Sequence, residues 1–139
     1  MAISIEAIKQ KMWEHDYFTQ WLGLELVEVR IGYCRAHFSI RKEMLNGHGT
    51  VQGGVLFSVA DAAFAFACNA QGKVTVALEA NINFAAPAFI GEQLTIEANV
   101  IHQGNKTGVY DVKIFNANQK LVCVFKGTSY TTSKDIISS

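Results

Sequence analysis

The sequence predicts an α+β domain in which a curled antiparallel sheet wraps around one long, buried helix. The first observation is an apolar run from Val55 to Cys68 in which only Ser58 and Asp61 are polar. The second is a set of strand-like segments, rich in β-branched and aromatic residues, on both sides of this run. One helix that is apolar on every side can cover six strands only if the sheet curls around it.

Length and composition favour one globular domain over residues 1–139. Half of the residues are hydrophobic and 17% are charged, which argues against disorder. Twelve basic and twelve acidic residues give zero net charge, and no basic stripe points to nucleic acid as a partner. The three cysteines, Cys34, Cys68 and Cys123, have no metal-ligand spacing. Reduced thiols and a cytoplasmic location are therefore expected.

The predicted elements follow in the order helix, hairpin, long helix and four strands. The first helix covers residues 1–17, with Ile5, Ile8 and Met12 on one face. No basic segment precedes an apolar run there, so a signal peptide is not expected. The predicted strands are residues 24–31, 33–40, 74–84, 93–103, 107–116 and 120–130.

The apolar run of the long helix does not predict a membrane span, because it is shorter than a bilayer core and has a charged residue at its centre. Residues 55–68 would extend ~21 Å as a helix, against ~30 Å for the apolar core of a bilayer. Asp61 lies at the middle of the run. We therefore expect a helix buried in protein rather than in lipid.

Two glycines open this helix and suggest a binding site for negative charge. Gly53 and Gly54 have no side chains, so a ligand can approach their backbone N–H groups. The first N–H groups of a helix are unpaired and lie at the positive end of its dipole, where they can stabilise an oxyanion. The alternative is that the pair only forms a tight turn into the helix.

The spacing from Gly54 to Asp61 predicts a dimer if both are catalytic. Seven residues make two helical turns, or ~10.5 Å on one face. Reacting groups must approach to ~3 Å, so the two residues of one helix cannot act together. A second copy running antiparallel across a two-fold axis could supply the missing partner. Alternatively, Asp61 is a structural carboxylate satisfied by Ser58, a backbone group or another subunit.

Residues 44–72, "MLNGHGTVQGGVLFSVADAAFAFACNAQG", resemble the active-site segment of hotdog-fold acyl-CoA thioesterases, particularly the phenylacetate-degradation (PaaI) branch. That family's pattern is Asn, a Gly a few residues later, His-Gly-Gly, and an aspartate eight residues after the first glycine of that pair. The residues that match it are Asn46, Gly49, Gly53, Gly54 and Asp61. The resemblance continues through residues 81–116 and 124–130.

The resemblance implies a hotdog fold, a homodimer with a continuous sheet and composite sites, and usually a homotetramer. It also implies hydrolysis of an acyl-CoA, with an aryl-acetyl or hydroxylated acyl group among the candidates. Gly54 and Gly53 would polarise the thioester carbonyl, Asp61 of the neighbouring subunit would be nucleophile or general base, and Asn46 would help to place the attacking water or the aspartate. No cofactor or metal is expected, since coenzyme A is part of the substrate.

Two positions depart from the family pattern. Gln52 occupies the place where the family commonly has His, and Gln cannot change its charge near neutral pH. Gln52 is kept as a catalytic candidate that can hydrogen-bond. Ala77 stands where some relatives have a water-binding Ser or Thr, and Thr75 is the nearest hydroxyl.

The remaining candidates concern the substrate. Leu56, Phe57, Phe64 and Phe84 could line an acyl pocket or belong to the core, and Lys106 could meet a CoA phosphate. The full set of substrate-binding candidates is Gly53, Val55, Leu56, Phe57, Asn81, Phe84 and Lys106. His48 could touch substrate. Ser58 lacks the G-x-S-x-G motif of serine hydrolases, and Cys68 lacks an activating His.

Two other functions remain open on the sequence. A hotdog hydratase or dehydratase would pair a His with a carboxylate, and no His stands in or just before the helix. A non-enzymatic acyl-CoA binding or sensing module would not need Asp61, which this chain retains.

Overall fold

The structure, a computed structural model, describes residues 3–138 and has the predicted order of elements. Two short helices, α1 (Ile5–His15) and α2 (Tyr17–Leu22), precede the sheet, and a long helix, α3 (Gly53–Asn69), follows the first two strands. The strands are β1 (Glu25–Arg30), β2 (Tyr33–Ser39), β3 (Lys73–Phe84), β4 (Gln93–Gln103), β5 (Thr107–Phe115) and β6 (Leu121–Asp135). A 3₁₀ turn, Lys42–Met44, lies between β2 and α3.

The helix predicted over residues 1–17 is confirmed as α1, and a second helix, α2, which was not predicted, begins at Tyr17; residues 1 and 2 lie outside the described part. The carboxylate of Asp16 accepts hydrogen bonds from the backbone N–H of Thr19 (3.1 Å) and from Thr19 Oγ1 (2.6 Å). It thereby caps the first turn of α2 and starts a new helix. Gly23, with φ of 81°, ends α2 in the left-handed conformation that glycine favours.

All six strands form one antiparallel sheet in the order β1-β2-β4-β5-β6-β3. β6 runs five residues beyond its predicted end at residue 130, because Lys73 at the start of β3 pairs with Asp135. β3 pairs only with β6, so its other edge is open over twelve residues. Val76 and Leu78 are exposed on this edge strand.

Helix α3 packs against the sheet through a buried aromatic cluster. The ring of Phe64 lies 5.3 Å from that of Tyr110 on β5 and 5.8 Å from that of Phe125 on β6. One face of α3 is not fully buried within the chain. From residue 58 onward, Ser58, Asp61 and Ala65 are the only positions of the helix that are not buried. They lie on one face, at the spacing of helical turns.

Across residues 3–138, no helix combines the length and apolar character that crossing a bilayer requires. Within the same range, His, Cys, Asp and Glu side chains form no group of three or more placed to hold a metal ion.

Candidate active site

The N-terminus of α3 offers two unpaired backbone donors. The N–H of Gln52, the residue before the helix, is already bonded to the carbonyl of Met44 at 2.8 Å. The N–H of Val55 is bonded to the carbonyl of Gln52 at 2.9 Å. Between them, the N–H groups of Gly53 and Gly54 have no acceptor among the described residues. Two adjacent free donors at the positive end of a helix are suited to binding an oxyanion.

The two glycines have different surroundings. A Cβ added to Gly53 would lie 3.0 Å from Cζ of Phe84, at the end of β3, so the phenyl ring packs directly on this glycine. A Cβ added to Gly54 would meet no atom within 4 Å in the protomer. The space above Gly54 is therefore free to receive a ligand, whereas the space beside Gly53 is filled by the Phe84 ring.

A cavity of about 360 Å³ lies beside this helix end. Four of the predicted site residues line it, namely Asn46, Gly53, Leu56 and Phe84. The remaining lining residues were not predicted: Thr50, Val51, Ala85, Ala86 and Pro87. Residues far apart in sequence thus form one concave wall at the N-terminus of α3.

Asn46 shapes the loop that leads to the helix. Its Oδ1 accepts hydrogen bonds from the N–H groups of His48 (2.9 Å) and Thr50 (3.2 Å), and its Nδ2 donates to Oγ1 of Thr50 (2.9 Å). An amide oxygen has two lone pairs, so both are used, and one amide hydrogen remains. Asn46 can therefore contact water or a carboxylate only as a donor.

The Gln52 and His48 side chains make no hydrogen bond with the described residues, and both are exposed. Gln52 lies next to the free N–H groups, where its amide can both donate and accept. His48 lies in the exposed loop, and only its backbone N–H takes part in the Asn46 turn.

Asp61 is half-buried, and its carboxylate has no hydrogen-bond partner among the described residues. The structural alternative in which Ser58 satisfies it is wrong, because Ser58 Oγ donates to the carbonyl of Gly54 at 2.8 Å. Burial raises the pKa of the Asp61 carboxyl above its usual value, and the negative charge of Asp16 raises it further. An unpaired carboxylate of raised basicity is suited to accept a proton from water.

Asp61 does not line the cavity at Gly53 in the described part of the chain. The helix is continuous between the two residues, so the two-turn separation of ~10.5 Å from Gly54 holds. Gly54, Ser58 and Asp61 nevertheless share the face of α3 that is not buried. Their short side chains would let a second helix approach this face closely.

The other substrate-binding candidates, Val55, Phe57, Asn81 and Lys106, do not line this cavity. Phe57 packs edge-on against Phe125 at 5.4 Å and belongs to the rim of the core, as does half-buried Val55. Asn81 is exposed on β3. Lys106 lies in the β4–β5 turn, where its carbonyl accepts a bond from Thr131 N–H, near the opposite end of β3 from Phe84.

Thr75 does not replace the hydroxyl that is missing at Ala77. Its Oγ1 donates to the carbonyl of Lys73 (2.9 Å) and accepts from Gln71 Nε2 (2.9 Å), within a buried network at the far end of α3. Cys68 is buried, and burial raises the pKa of its thiol to about 12. It is therefore a packed thiol rather than a nucleophile.

Thr50 is the polar residue at the cavity that the sequence reasoning missed. Its Oγ1 accepts from Asn46, while its own hydroxyl proton has no acceptor among the described residues. The loop between the Asn46-Gly47 turn and the start of α3 has to fold back to bring Asn46 beside Gly53. Because Thr50 lies in this loop, its position in the sequence could have indicated a place at the site.

Comparison with known proteins places these features in a family. The model of the thioesterase superfamily matches residues 48–123. The acyl-coenzyme A thioesterase PaaI of Escherichia coli (strain K12) is 44% identical over 119 residues, which cover 86% of this chain and 85% of that protein.

Two solved structures show the same fold. The structure of the E. coli PaaI protein from the phenylacetic acid degradation operon superimposes with a TM-score of 0.91 at 40% identity, covering 94% of this chain and 95% of that one. A hypothetical thioesterase from Streptococcus pneumoniae TIGR4, solved with coenzyme A, gives a TM-score of 0.77 at 28% identity, covering 81% and 90%. These matches confirm the predicted hotdog fold.

Proposed function

The chain belongs to the thioesterase superfamily and is a thioester hydrolase, and we propose that it cleaves an acyl-CoA to the free acid and coenzyme A. The observation that carries this proposal is the pair of unpaired N–H groups at Gly53 and Gly54, two helical turns from the unpaired carboxylate of Asp61. The names of the PaaI relatives support an acyl-CoA substrate, and an aryl-acetyl group is the first acyl class to test.

The reacting groups come from two protomers in this proposal. Gly54 of one α3 helix meets the partner's Asp61 if the helices run antiparallel across a two-fold axis. That axis must then pass midway between the two residues, at Phe57 and Ser58. The open edge of β3 supports such a dimer, because long unpaired edges with exposed apolar side chains are normally covered. A tetramer would join two such dimers.

The thioester carbonyl accepts hydrogen bonds from the Gly54 and Gly53 N–H groups, which stabilise the oxyanion that forms when the carbonyl carbon is attacked. In one route, Asp61 removes a proton from the attacking water and returns it to the departing CoA thiolate. In the other, Asp61 attacks the carbonyl carbon directly, CoA leaves, and water then hydrolyses the mixed anhydride. Asn46 donates its remaining amide hydrogen to the water or carboxylate, and Gln52 hydrogen-bonds without changing charge.

A thiol-release assay over a panel of acyl-CoA substrates tests the function. We expect Asp61→Ala to reduce kcat/KM by about 10²–10⁴, the range for removal of a general base. Asp111→Ala is the matched control, since Asp111 is a half-buried carboxylate on β5, outside the site. Unchanged turnover by Asp61→Ala would exclude the proposed chemistry.

Two measurements distinguish the alternatives. Hydration of an enoyl-CoA without thiol release would assign a hydratase, and tight calorimetric binding of a CoA ester without turnover would assign a sensing module. For an active enzyme, a single turnover in ¹⁸O-labelled water tests the covalent route. Label in Asp61 requires the mixed anhydride. Label only in the product acid arises both from direct attack by water and from attack by water on the acyl carbon of the anhydride.

A further inference from the structure

The two N-terminal helices, α1 and α2, both contact α3. The Trp13 ring of α1 packs on Phe66 near the far end of α3, at 6.4 Å. Asp16, which caps α2, raises the pKa of the Asp61 carboxyl through its negative charge, so α2 starts near Asp61.

The other end of α2 is tied to the segment that carries Asn46. Arg41 donates from Nη1 to the carbonyl of Leu22 (2.8 Å) and from Nη2 to that of Trp21 (2.9 Å), which caps the helix end. Arg41 also leads into the 3₁₀ turn whose last residue, Met44, accepts the bond from Gln52 N–H. The two ends of α2 are thus held by Asp16, next to Asp61, and by Arg41, next to the Asn46 loop.

Helix α2 presents an aromatic face to solvent in the protomer. We define this aromatic face as Tyr17, Phe18 and Trp21, whose exposed fractions are 71%, 56% and 57%. Phe18 and Trp21 stack with their ring centroids 6.0 Å apart. The opposite side of the helix is buried through Thr19 and Leu22. Three exposed aromatic side chains within one helical turn mark a surface that is covered in the working state of a protein.

We propose that the aromatic face of α2 contacts the acyl group of the substrate and sets which acyl groups the enzyme accepts. The inference rests on the proposed function and names the part of the substrate that this surface receives. It assigns Tyr17, Phe18 and Trp21 as specificity-determining residues, outside the segment that matches the family's active-site pattern.

The charges around the aromatic face of α2 favour the acyl group over the CoA moiety as the part of the substrate that binds there. Asp16 and Asp61 place two carboxylates at this end of the site, and α2 contains no charged residue. The Arg41 guanidinium is engaged by the Trp21 and Leu22 carbonyls and by Glu43 at 2.8 Å. The two carboxylates would repel the phosphates of CoA, whereas an uncharged apolar acyl group would bury aromatic surface without electrostatic repulsion.

The test compares substrates that differ only in the acyl group. We measure kcat/KM for phenylacetyl-CoA, octanoyl-CoA and acetyl-CoA with the wild-type protein, Phe18→Ala and Trp21→Ala. Loss of one aromatic contact should lower the phenylacetyl-to-acetyl and octanoyl-to-acetyl ratios by about tenfold or more, within the range for apolar pockets. Ile101→Ala is the matched control, because Ile101 is 53% exposed on β4, away from α2, and it should leave both ratios at their wild-type values.

Each outcome decides the inference. Recovery of the wild-type ratio by Trp21→Phe, which keeps an aromatic ring, would support it and would exclude a folding defect as the cause. Equal loss for all three substrates, or no change in either ratio, would overturn it. A smaller oligomer in sedimentation of Phe18→Ala or Trp21→Ala would assign the face to a contact between copies and also overturn it. A wild-type protein that cleaves no acyl-CoA would instead refute the proposed function, and with it this inference.

Discussion

Replacing Gly54 with alanine should stabilise the protein and disable it. The added Cβ meets no atom within 4 Å of the protomer, and the residue is in the first turn of α3. A compatible Gly→Ala substitution stabilises by about 0.4–1 kcal/mol, mainly by restricting the unfolded chain. With an unfolding entropy of about 2.1 cal/mol/K per residue, this corresponds to a rise in Tm of about 1–3 °C.

The same methyl group would occupy the space through which the thioester carbonyl must reach the Gly54 N–H. Loss of one oxyanion donor typically costs about 10²–10³ in rate. We therefore expect kcat/KM of Gly54→Ala to fall by about 10² or more while the folded state gains stability. Damage to the fold would lower both Tm and kcat/KM. A higher Tm together with a lower kcat/KM would therefore exclude damage to the fold as the cause of the lost activity.

Gly53→Ala provides the matched contrast. Its Cβ would lie 3.0, 3.3 and 3.4 Å from three atoms of the Phe84 ring, so the ring must move. Overpacking of this kind costs about 1–3 kcal/mol, and the helical gain offsets part of it. A net loss of about 1–2 kcal/mol lowers Tm by about 3–7 °C.

Thermal unfolding by circular dichroism and thiol release with phenylacetyl-CoA measure the two effects on each variant. Wild-type kcat/KM in Gly54→Ala would refute the placement of the acyl carbonyl at this N–H. A lower Tm in Gly54→Ala would show that another protomer already fills the space above Gly54.

Three further results are expected. Asp61→Asn should reduce kcat/KM by about 10²–10⁴, as for Asp61→Ala. It should also raise Tm at pH 7, because burial raises the pKa of this carboxyl in the folded state and its ionised form therefore destabilises folding. The gain in Tm should shrink as the pH of the melts falls and the wild-type carboxyl takes up a proton. A lower Tm of Asp61→Asn would reveal a partner for Asp61 in the assembly. Asp16→Asn keeps a good helix cap but removes the charge that raises the pKa of Asp61. The acid limb of the plot of kcat/KM against pH should therefore move to lower pH. An acid limb at the wild-type pH would show that the two carboxylates do not interact. Ser58→Cys, at the proposed two-fold axis, should give a covalent dimer on a non-reducing gel after mild oxidation. Ser39→Cys, which is exposed on β2, is the control and should remain monomeric on the same gel. Equal cross-linking of the two variants would contradict an axis at Ser58.

Local patterns predicted the elements well where one periodicity dominated. The apolar run at residues 55–68 and the alternation at residues 33–40 correspond to α3 and β2 within a few residues. The break at Asp16 was missed because a carboxylate within an amphipathic pattern can equally lie on the polar face of a continuous helix. Its capping bonds to Thr19 depend on a backbone turn that hydrophobic periodicity does not encode.

Distances within one helix of the site were predictable from the sequence, whereas contacts between different elements were not. The distance from Gly54 to Asp61 follows from helix geometry alone, and the structure retains it. The contact between Gly53 and Phe84 joins positions on different elements and follows only from how β3 packs against α3. The exposure of Tyr17, Phe18 and Trp21 is likewise a tertiary property, because the sequence YFTQWL is equally compatible with burial.

In the proposed dimer, an antiparallel copy brings the two halves of the site together and covers the open edge of the sheet. Gly53 and Gly54 have donors without acceptors, Asp61 is an acceptor without a donor, and β3 has an unpaired edge. Partial burial of the unpaired Asp61 carboxylate and the open apolar edge both cost stability. A monomer would therefore have an incomplete site and would leave the β3 edge uncovered. We expect dilution to abolish hydrolysis and to lower Tm over the same concentration range, and a folded monomer of unchanged Tm would contradict the composite site.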